Sequence, residues 1–379
     1  MGLPGTSLRV GIIGTGFMAS VHARAARAAG ATVAAVAGRT EESGRVAALR
    51  LGADRASRSA AELVAGEDID VVHICTPNDR HAEYAALALE AGKAVVCEKP
   101  LSTDADSAGA LAALAQERGA VAAVPFVYRF YPAVREARAR LGAGEAGPLW
   151  LLHGSYLQDW LASASDTDWR VDPAVGGGSR AFGDIGVHWC DLMEFVTGHR
   201  ITRLTASTAR AHERRTVDGR PVAVDTEDGA ALLFETDQGA LGTLVVSQVS
   251  PGRKNRLWFS FEGTGSSFEF DQEQPETLRI GDTTSTRRIP VGPGLATEQG
   301  RRYAGLPAGH PLGYQDAFAA FVADVLRAVQ GEVVEGLPTF ADGHRAARIT
   351  EAVLASATSG AWVDVEHPVE HRQREMEHR

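Results

Sequence analysis

A chain of 379 residues exceeds the usual span of one domain, so two domains with separate cores are expected. Its formal charge of -10, from 38 basic against 48 acidic residues, leaves no electrostatic footprint for nucleic acid, and no apolar run of about 18 residues is present to cross a bilayer. Cys75, Cys97 and Cys190 are odd in number and widely spaced, which speaks against a disulfide framework and for a reducing cytosol.

The opening Met1-Gly2-Leu3-Pro4-Gly5-Thr6 loosely fits a myristoylation pattern, but no polybasic stretch follows, so it reads as a disordered leader. From Leu8 to Phe126, short β-rich apolar runs alternate with Ala-rich helical stretches, the pattern of βαβ units on a parallel sheet. Strands are expected at Leu8–Ile13, Thr32–Ala37, Val71–Cys75, Ala94–Cys97 and Val121–Phe126, with a weaker one near Asp54–Ser57. Helices are expected between them, at about Gly16–Ala29, Glu41–Leu51, Ala60–Ala65, His81–Ala91 and Asp104–Arg118, several closed by glycine. Residues 1–126 thus read as a Rossmann dinucleotide-binding domain.

Beyond Phe126 the texture becomes α+β. A helix at Tyr131–Leu141 precedes strands at Leu149–Gln158, Ile201–His212, Ala230–Glu235, Leu241–Val249 and Leu257–Glu262, whose alternation and hairpin-sized turns predict a large, mainly antiparallel sheet. Tyr314, Phe318, Phe321, Val322, Val325 and Val329 recur at helical spacing, as a core stripe. A second helix, Asp342–Ser359, and a short strand, Ala361–Val365, complete residues 127–379, the expected substrate and oligomerisation domain, with a frayed tail over His367–Arg379.

After the first strand comes Gly14-x-Gly16-x-x-Ala19. Gly14 permits the turn, Gly16 lets backbone approach a pyrophosphate, and the helix beginning Phe17-Met18 presents its N-terminus to it. The second strand ends in Gly38-Arg39-Thr40 rather than a carboxylate. Arg39 and Thr40 suit a ribose 2'-phosphate, so NADP is expected, with Glu41 or Glu42 keeping NAD open. The fourth strand runs into Thr76-Pro77-Asn78 and His81, the fifth into Glu98-Lys99-Pro100. Both loops lie at carboxyl ends of strands, where parallel sheets bind ligands, so Thr76, Pro77, Asn78, His81, Glu98 and Lys99 are expected to face the nicotinamide. Lysine is rare here, at Lys93, Lys99 and Lys254 alone, and asparagine rarer, at Asn78 and Asn255.

These motifs, with Gly183-Asp184-Ile185-Gly186-Val187-His188 and the Tyr128-Arg129-Phe130-Tyr131-Pro132 crossover, resemble the glucose-fructose oxidoreductase, inositol dehydrogenase and MocA family over essentially the whole chain. The resemblance implies a cleft between the domains and an open sheet that joins subunits into a homodimer or homotetramer. It also implies a lysine, an aspartate and a histidine around the reacting oxygen, hence Lys99 to polarise it, Asp184 and His188. Removing a hydride from a carbinol requires a base for the hydroxyl proton, a role that suits His188, with Asp184 either orienting the imidazole or holding a neighbouring hydroxyl.

Tyr156, Trp160, Trp169 and Arg170, with Asp159, are sugar-stacking and hydroxyl-reading candidates. Arg129 and His310 are expected to add cleft contacts. The expected activity is hydride transfer between NAD(P) and a hydroxyl or keto carbon of a sugar or polyol in the cytoplasm. A redox-neutral glycoside cleavage that uses the cofactor transiently and a non-catalytic NADP(H) sensor stay open beside it. No ligand spacing for a metal is present.

Overall fold

The computed structural model describes residues 7–217 and 219–365; the leader Met1–Thr6 and the tail His367–Arg379 lie outside them. The first half runs β1 (Arg9–Ile13), α1 (Phe17–Ala28), β2 (Thr32–Ala37), α2 (Glu41–Leu51), β3 (Arg55–Ser57), α3 (Ala60–Ala65), β4 (Val71–Ile74), α4 (His81–Glu90), β5 (Ala94–Cys97), α5 (Ala105–Glu117) and β6 (Ala122–Ala123). The strands form one parallel sheet in the order β3-β2-β1-β4-β5-β6. The order reverses between β1 and β4, and the carboxyl ends of those strands open the crevice where such sheets take a dinucleotide. Valine and alanine dominate β2, β4 and β5 because helices cover both faces. The last expected strand is cut to two residues, since the chain turns at Val127–Phe130 to leave the domain.

The second half comprises α6 (Pro132–Gly142), β7 (Leu149–Leu157), α7 (Pro173–Gly176), α8 (Val187–Thr197), β8 (Ile201–Ala209), β9 (Arg214–Val217), β10 (Arg220–Ala223), β11 (Gly229–Thr236), β12 (Leu241–Ser247), β13 (Arg256–Gly263), β14 (Ser267–Asp271), β15 (Thr277–Gly281), β16 (Thr286–Pro290), α9 (Glu298–Arg302), α10 (Tyr314–Val329), α11 (Phe340–Ser359) and β17 (Val363–Asp364). Nine strands make one sheet, ordered β16-β15-β14-β13-β7-β12-β11-β8-β17. The expected antiparallel order holds except that β12 runs parallel to β7. The expected strand Ile201–His212 ends at Ala209, and β9–β10 form a separate hairpin. Strands β14–β16 escaped the sequence pattern because they are only five residues each, too short to show alternation.

One sheet face is packed by α8 and α11 through Leu152, Tyr156, Phe234, Leu244, Phe259 and Phe261. The other face is open and carries Leu241 and Val245, 42% and 48% exposed. The last long helices fold back on the first domain: α10 packs on α1 and α11 on α5, with Gln315 donating to the Val21 carbonyl and Glu351 accepting from the Ala105 amide.

Candidate active site

The glycine turn after β1 is built for close backbone approach. Gly14 sits at φ +125°, and a Cβ there would lie 2.5 Å from the Cys75 carbonyl oxygen. Gly16 faces open space and caps α1 without any side-chain hydrogen bond, so the first amides of α1 are free to meet an anion. Beside this turn the Thr76 hydroxyl is buried and has no partner. Free helix-start amides, an orphaned hydroxyl and a strand crossover together fit a dinucleotide pyrophosphate and its nicotinamide arm. At the far end, Arg39 and Thr40 are exposed, with Thr40 capping α2 through Ser43. Phe17 stands 74% exposed at the mouth.

Lys99 follows β5 in a loop whose Lys99-Pro100 bond is cis. Its ammonium reaches across to the second domain, where it pairs with the Asp184 carboxylate and donates to the Asp184 carbonyl at 2.8 Å. Asp184 lies in a single wide helical turn, Phe182–Gly186, that runs directly into α8; such turns often mark functional sites. Gln248 donates to its other oxygen at 2.7 Å, and Arg170 Nε lies 3.4 Å away. Burial pushes the Asp184 carboxyl up, but the charges of Lys99 and Arg170 outweigh it and hold it well below the ordinary carboxylate range.

His188 opens α8 one turn further on. Its ring is held edge-on by Phe126 and Tyr128, with centroids 5.7 and 5.2 Å away, and Tyr156 is tilted against it at 6.3 Å. The expectation that Asp184 orients this imidazole is corrected: the carboxylate is used by Lys99, Arg170 and Gln248, and aromatic packing fixes the ring instead. His188 Nδ1 is buried without a partner, which leaves Nε2 to meet a substrate oxygen. Burial, then the nearby Lys99 charge, pulls the imidazole well below its ordinary pKa and keeps it neutral.

Further expectations are corrected by where the side chains go. Arg129 is buried in ion pairs with Asp191 and Asp342 and stacks on Phe195, 4.8 Å from that ring, so every strong partner it has is structural. His310 is exposed and bonds within its own turn to Pro307. His81 lies between the two loops, its ring nitrogens 3.0 and 2.7 Å from the Thr76 and Pro100 carbonyls, rather than facing a cofactor. Glu98 is buried against His22 and the Lys99 amide. Asp159 is taken up by Lys254 and the Gly252 amide. Asn78 donates to the Gly176 carbonyl, tying the first domain to the loop at α7.

Of the sugar candidates, Trp160 is 38% exposed and donates to Gln158, while Arg170 lies 4.2 Å over the Trp169 ring beside Asp184. Tyr156 is buried, its hydroxyl meeting that of Tyr128 and donating to Asn255 at 2.8 Å. Asn255 also accepts from Gln158 at 2.7 Å. This Tyr128-Tyr156-Asn255-Gln158 cluster, and Gln248, were missed as a set, although the scarcity of asparagine marked Asn255. Tyr314 lies tilted against Tyr128, centroids 6.4 Å apart. Among the described residues no group of three metal-ligating side chains exists.

A dinucleotide turn, a lysine-aspartate pair spanning two domains and a buried histidine define a nicotinamide-dependent oxidoreductase fold and site. Residues 8–126 match the oxidoreductase family with NAD-binding Rossmann fold, and residues 134–269 match the GFO/IDH/MocA C-terminal domain. The levoglucosan dehydrogenase of Pseudarthrobacter phenanthrenivorans is 31% identical over 95% of this chain and 98% of its own. A solved levoglucosan dehydrogenase in complex with NADH and L-sorbose superposes with a TM-score of 0.90 at 30% identity, over 96% of this chain and 100% of that one. An inositol dehydrogenase homolog from Azotobacter vinelandii, complexed with NADH and myo-inositol, gives 0.85 at 27%, over 95% and 98%. The chain therefore belongs to the glucose-fructose oxidoreductase, inositol dehydrogenase and MocA family.

Proposed function

We propose that the protein is an NAD(P)-dependent dehydrogenase that oxidises a carbinol of a cyclic sugar or polyol, or reduces the matching ketone. The observation that carries this reading is the Lys99-Asp184 pair beside His188, set below a turn that fits a dinucleotide. The nicotinamide supplies the hydride acceptor or donor. Lys99, aimed by its pairing with Asp184, donates a hydrogen bond to the reacting oxygen and stabilises the negative charge that grows on it. His188, kept neutral by burial, accepts the hydroxyl proton at Nε2 in oxidation. Arg170, Asn255 and Gln158 supply polar groups for neighbouring hydroxyls, while Trp169 offers an apolar face. Relatives described as acting on levoglucosan and inositol support a cyclic substrate. The test is absorbance at 340 nm with NAD or NADP against levoglucosan, inositols and aldoses. Tight NADH binding with silence across that panel would favour the sensor reading, and substrate cleavage without net cofactor change the redox-neutral one.

Both cofactors fall within this reading. No carboxylate stands at the end of β2, and Glu42 is engaged by Arg45, so exposed Arg39 is free to meet a 2'-phosphate. Arg39→Ala is expected to raise the KM for NADP about tenfold and leave that for NAD nearly unchanged, as steady-state kinetics with each cofactor will show.

The open sheet face is read as the subunit interface of a dimer or tetramer. Leu241 and Val245 on β12, with Thr243 between them, lie beside Leu151 of β7 and Leu233 and Ala231 of β11 near the centre of the sheet. Val245→Arg is expected to convert the assembly to monomer in sedimentation velocity, because an uncompensated charge at an interface centre is strongly unfavourable. Buried free thiols at Cys75, Cys97 and Cys190 support a cytoplasmic setting.

A further inference from the structure

Glu98 is one of the least expected residues of the first domain, a carboxylate only 7% exposed at the end of a parallel strand. Burying an ion there is costly unless specific partners hold it. Its Oε1 lies 3.0 Å from His22 Nε2 on α1, and its Oε2 accepts from the Lys99 amide at 3.2 Å. His22, wholly buried, has its Nδ1 2.9 Å from Nδ1 of His73 in the middle of β4, and packs edge-on against Phe318 of α10, 4.7 Å away. Beyond this contact His73 Nε2 meets no polar atom.

The proton order of this chain follows from its partners. Burial pushes the Glu98 carboxyl up, but the hydrogen bond from His22 and the nearby Lys99 charge outweigh it and hold Glu98 ionised. An ionised Glu98 accepts, so His22 carries a proton on Nε2. Burial keeps His73 neutral. The 2.9 Å contact between Nδ1 of His22 and Nδ1 of His73 holds a single shared proton, so the two rings and the Glu98 carboxylate form one continuous hydrogen-bonded row.

We propose that His73, His22 and Glu98 form a buried positioning chain that fixes the backbone from which Lys99 reaches Asp184. His22 is then a positioning residue for the reaction although the groups it bonds lie beneath the site. Three elements, α1, β4 and the loop after β5, converge on this chain, and α10 covers it. The logic is that of an outer group which locks the tautomer and direction of an inner one, whose loss typically costs 10–100-fold in activity. The inference rests on the dehydrogenase reading for its kinetic arm only.

The experiment compares the full-length protein with His22→Phe, His22→Gln and His73→Leu, using whichever of levoglucosan and myo-inositol the wild type turns over. His22→Phe is expected to lower kcat about 10–100-fold while KM and the NADH dissociation constant stay within about threefold. His22→Gln restores a donor where Nε2–H stood and should recover most of the loss. The 15N spectrum of histidine-labelled protein should show His22 protonated on Nε2 in the wild type and still so in His73→Leu, because Glu98 accepts that proton in both. Wild-type kcat in His22→Phe, equal damage from Gln and Phe, or a His22 that lacks the Nε2 proton overturns the proposal. Should His22→Phe not fold, His22→Gln and His73→Leu carry the same comparison. If the wild type oxidises no polyol, the dehydrogenase reading fails, and the tautomer pattern then decides the positioning chain alone.

Discussion

Lys99→Met should lower kcat by about 10²–10³-fold, the range seen when one preorganised donor to a developing oxyanion is lost. Methionine keeps most of the side-chain volume and removes only the charge and its hydrogen bonds. Asp184 then retains Arg170 and Gln248, so the fold should survive. Binding of NADH, followed by fluorescence, should change little, because the glycine turn and the α1 amides are untouched. A variant with near-normal kcat would remove Lys99 from the chemistry. Loss of cofactor binding in parallel would instead make it a structural tie between the domains.

The second large effect concerns stability. Arg129→Met is expected to destabilise the protein by about 3–5 kcal/mol, the usual consequence of stripping one partner from a buried ion pair. Burial of the Arg129 guanidinium opposes its charge, but Asp191 and Asp342 outweigh that and raise its pKa further. Without it, two carboxylates face each other in a low-dielectric pocket beside Glu194 and Arg345. Chemical denaturation of Arg129→Met and of Arg129→Met/Asp191→Leu is the check, and the double variant should regain part of the loss. An Arg129 that read substrate would raise KM and leave the denaturation midpoint alone.

The dinucleotide half was legible because its signals are local. Glycine turns, apolar runs of strand length and terminal caps all lie within a few residues of one another, and α2, α3, β2 and β5 fall where the pattern puts them. The second half was legible where its strands are long, as in β7 and β11, and failed at β14–β16. Within the candidate site, Lys99, Asp184 and His188 were singled out from motif and chemistry, and the fold pairs the first two. What the side chains bond to was not. Nothing local says that Asp184 turns toward Lys99 rather than His188, since that choice is made by Gln248 and Arg170, residues 64 and 14 positions away. Arg129, expected to add a cleft contact, differs for a similar reason: only the fold shows that Asp191 and Asp342, the latter 213 residues on, occupy it.

The packing of α10 on α1 also bears on how the chain is made. Val21 on α1 and Gln315 on α10 are 294 residues apart, and at roughly 5–20 residues per second a ribosome needs about 15–60 seconds to add that length. Throughout that interval the face of α1 that α10 later covers has no native cover. The dinucleotide half thus emerges first yet is finished last, and its dependence on chaperones should fall sharply only once the segment through Val329 has left the exit tunnel.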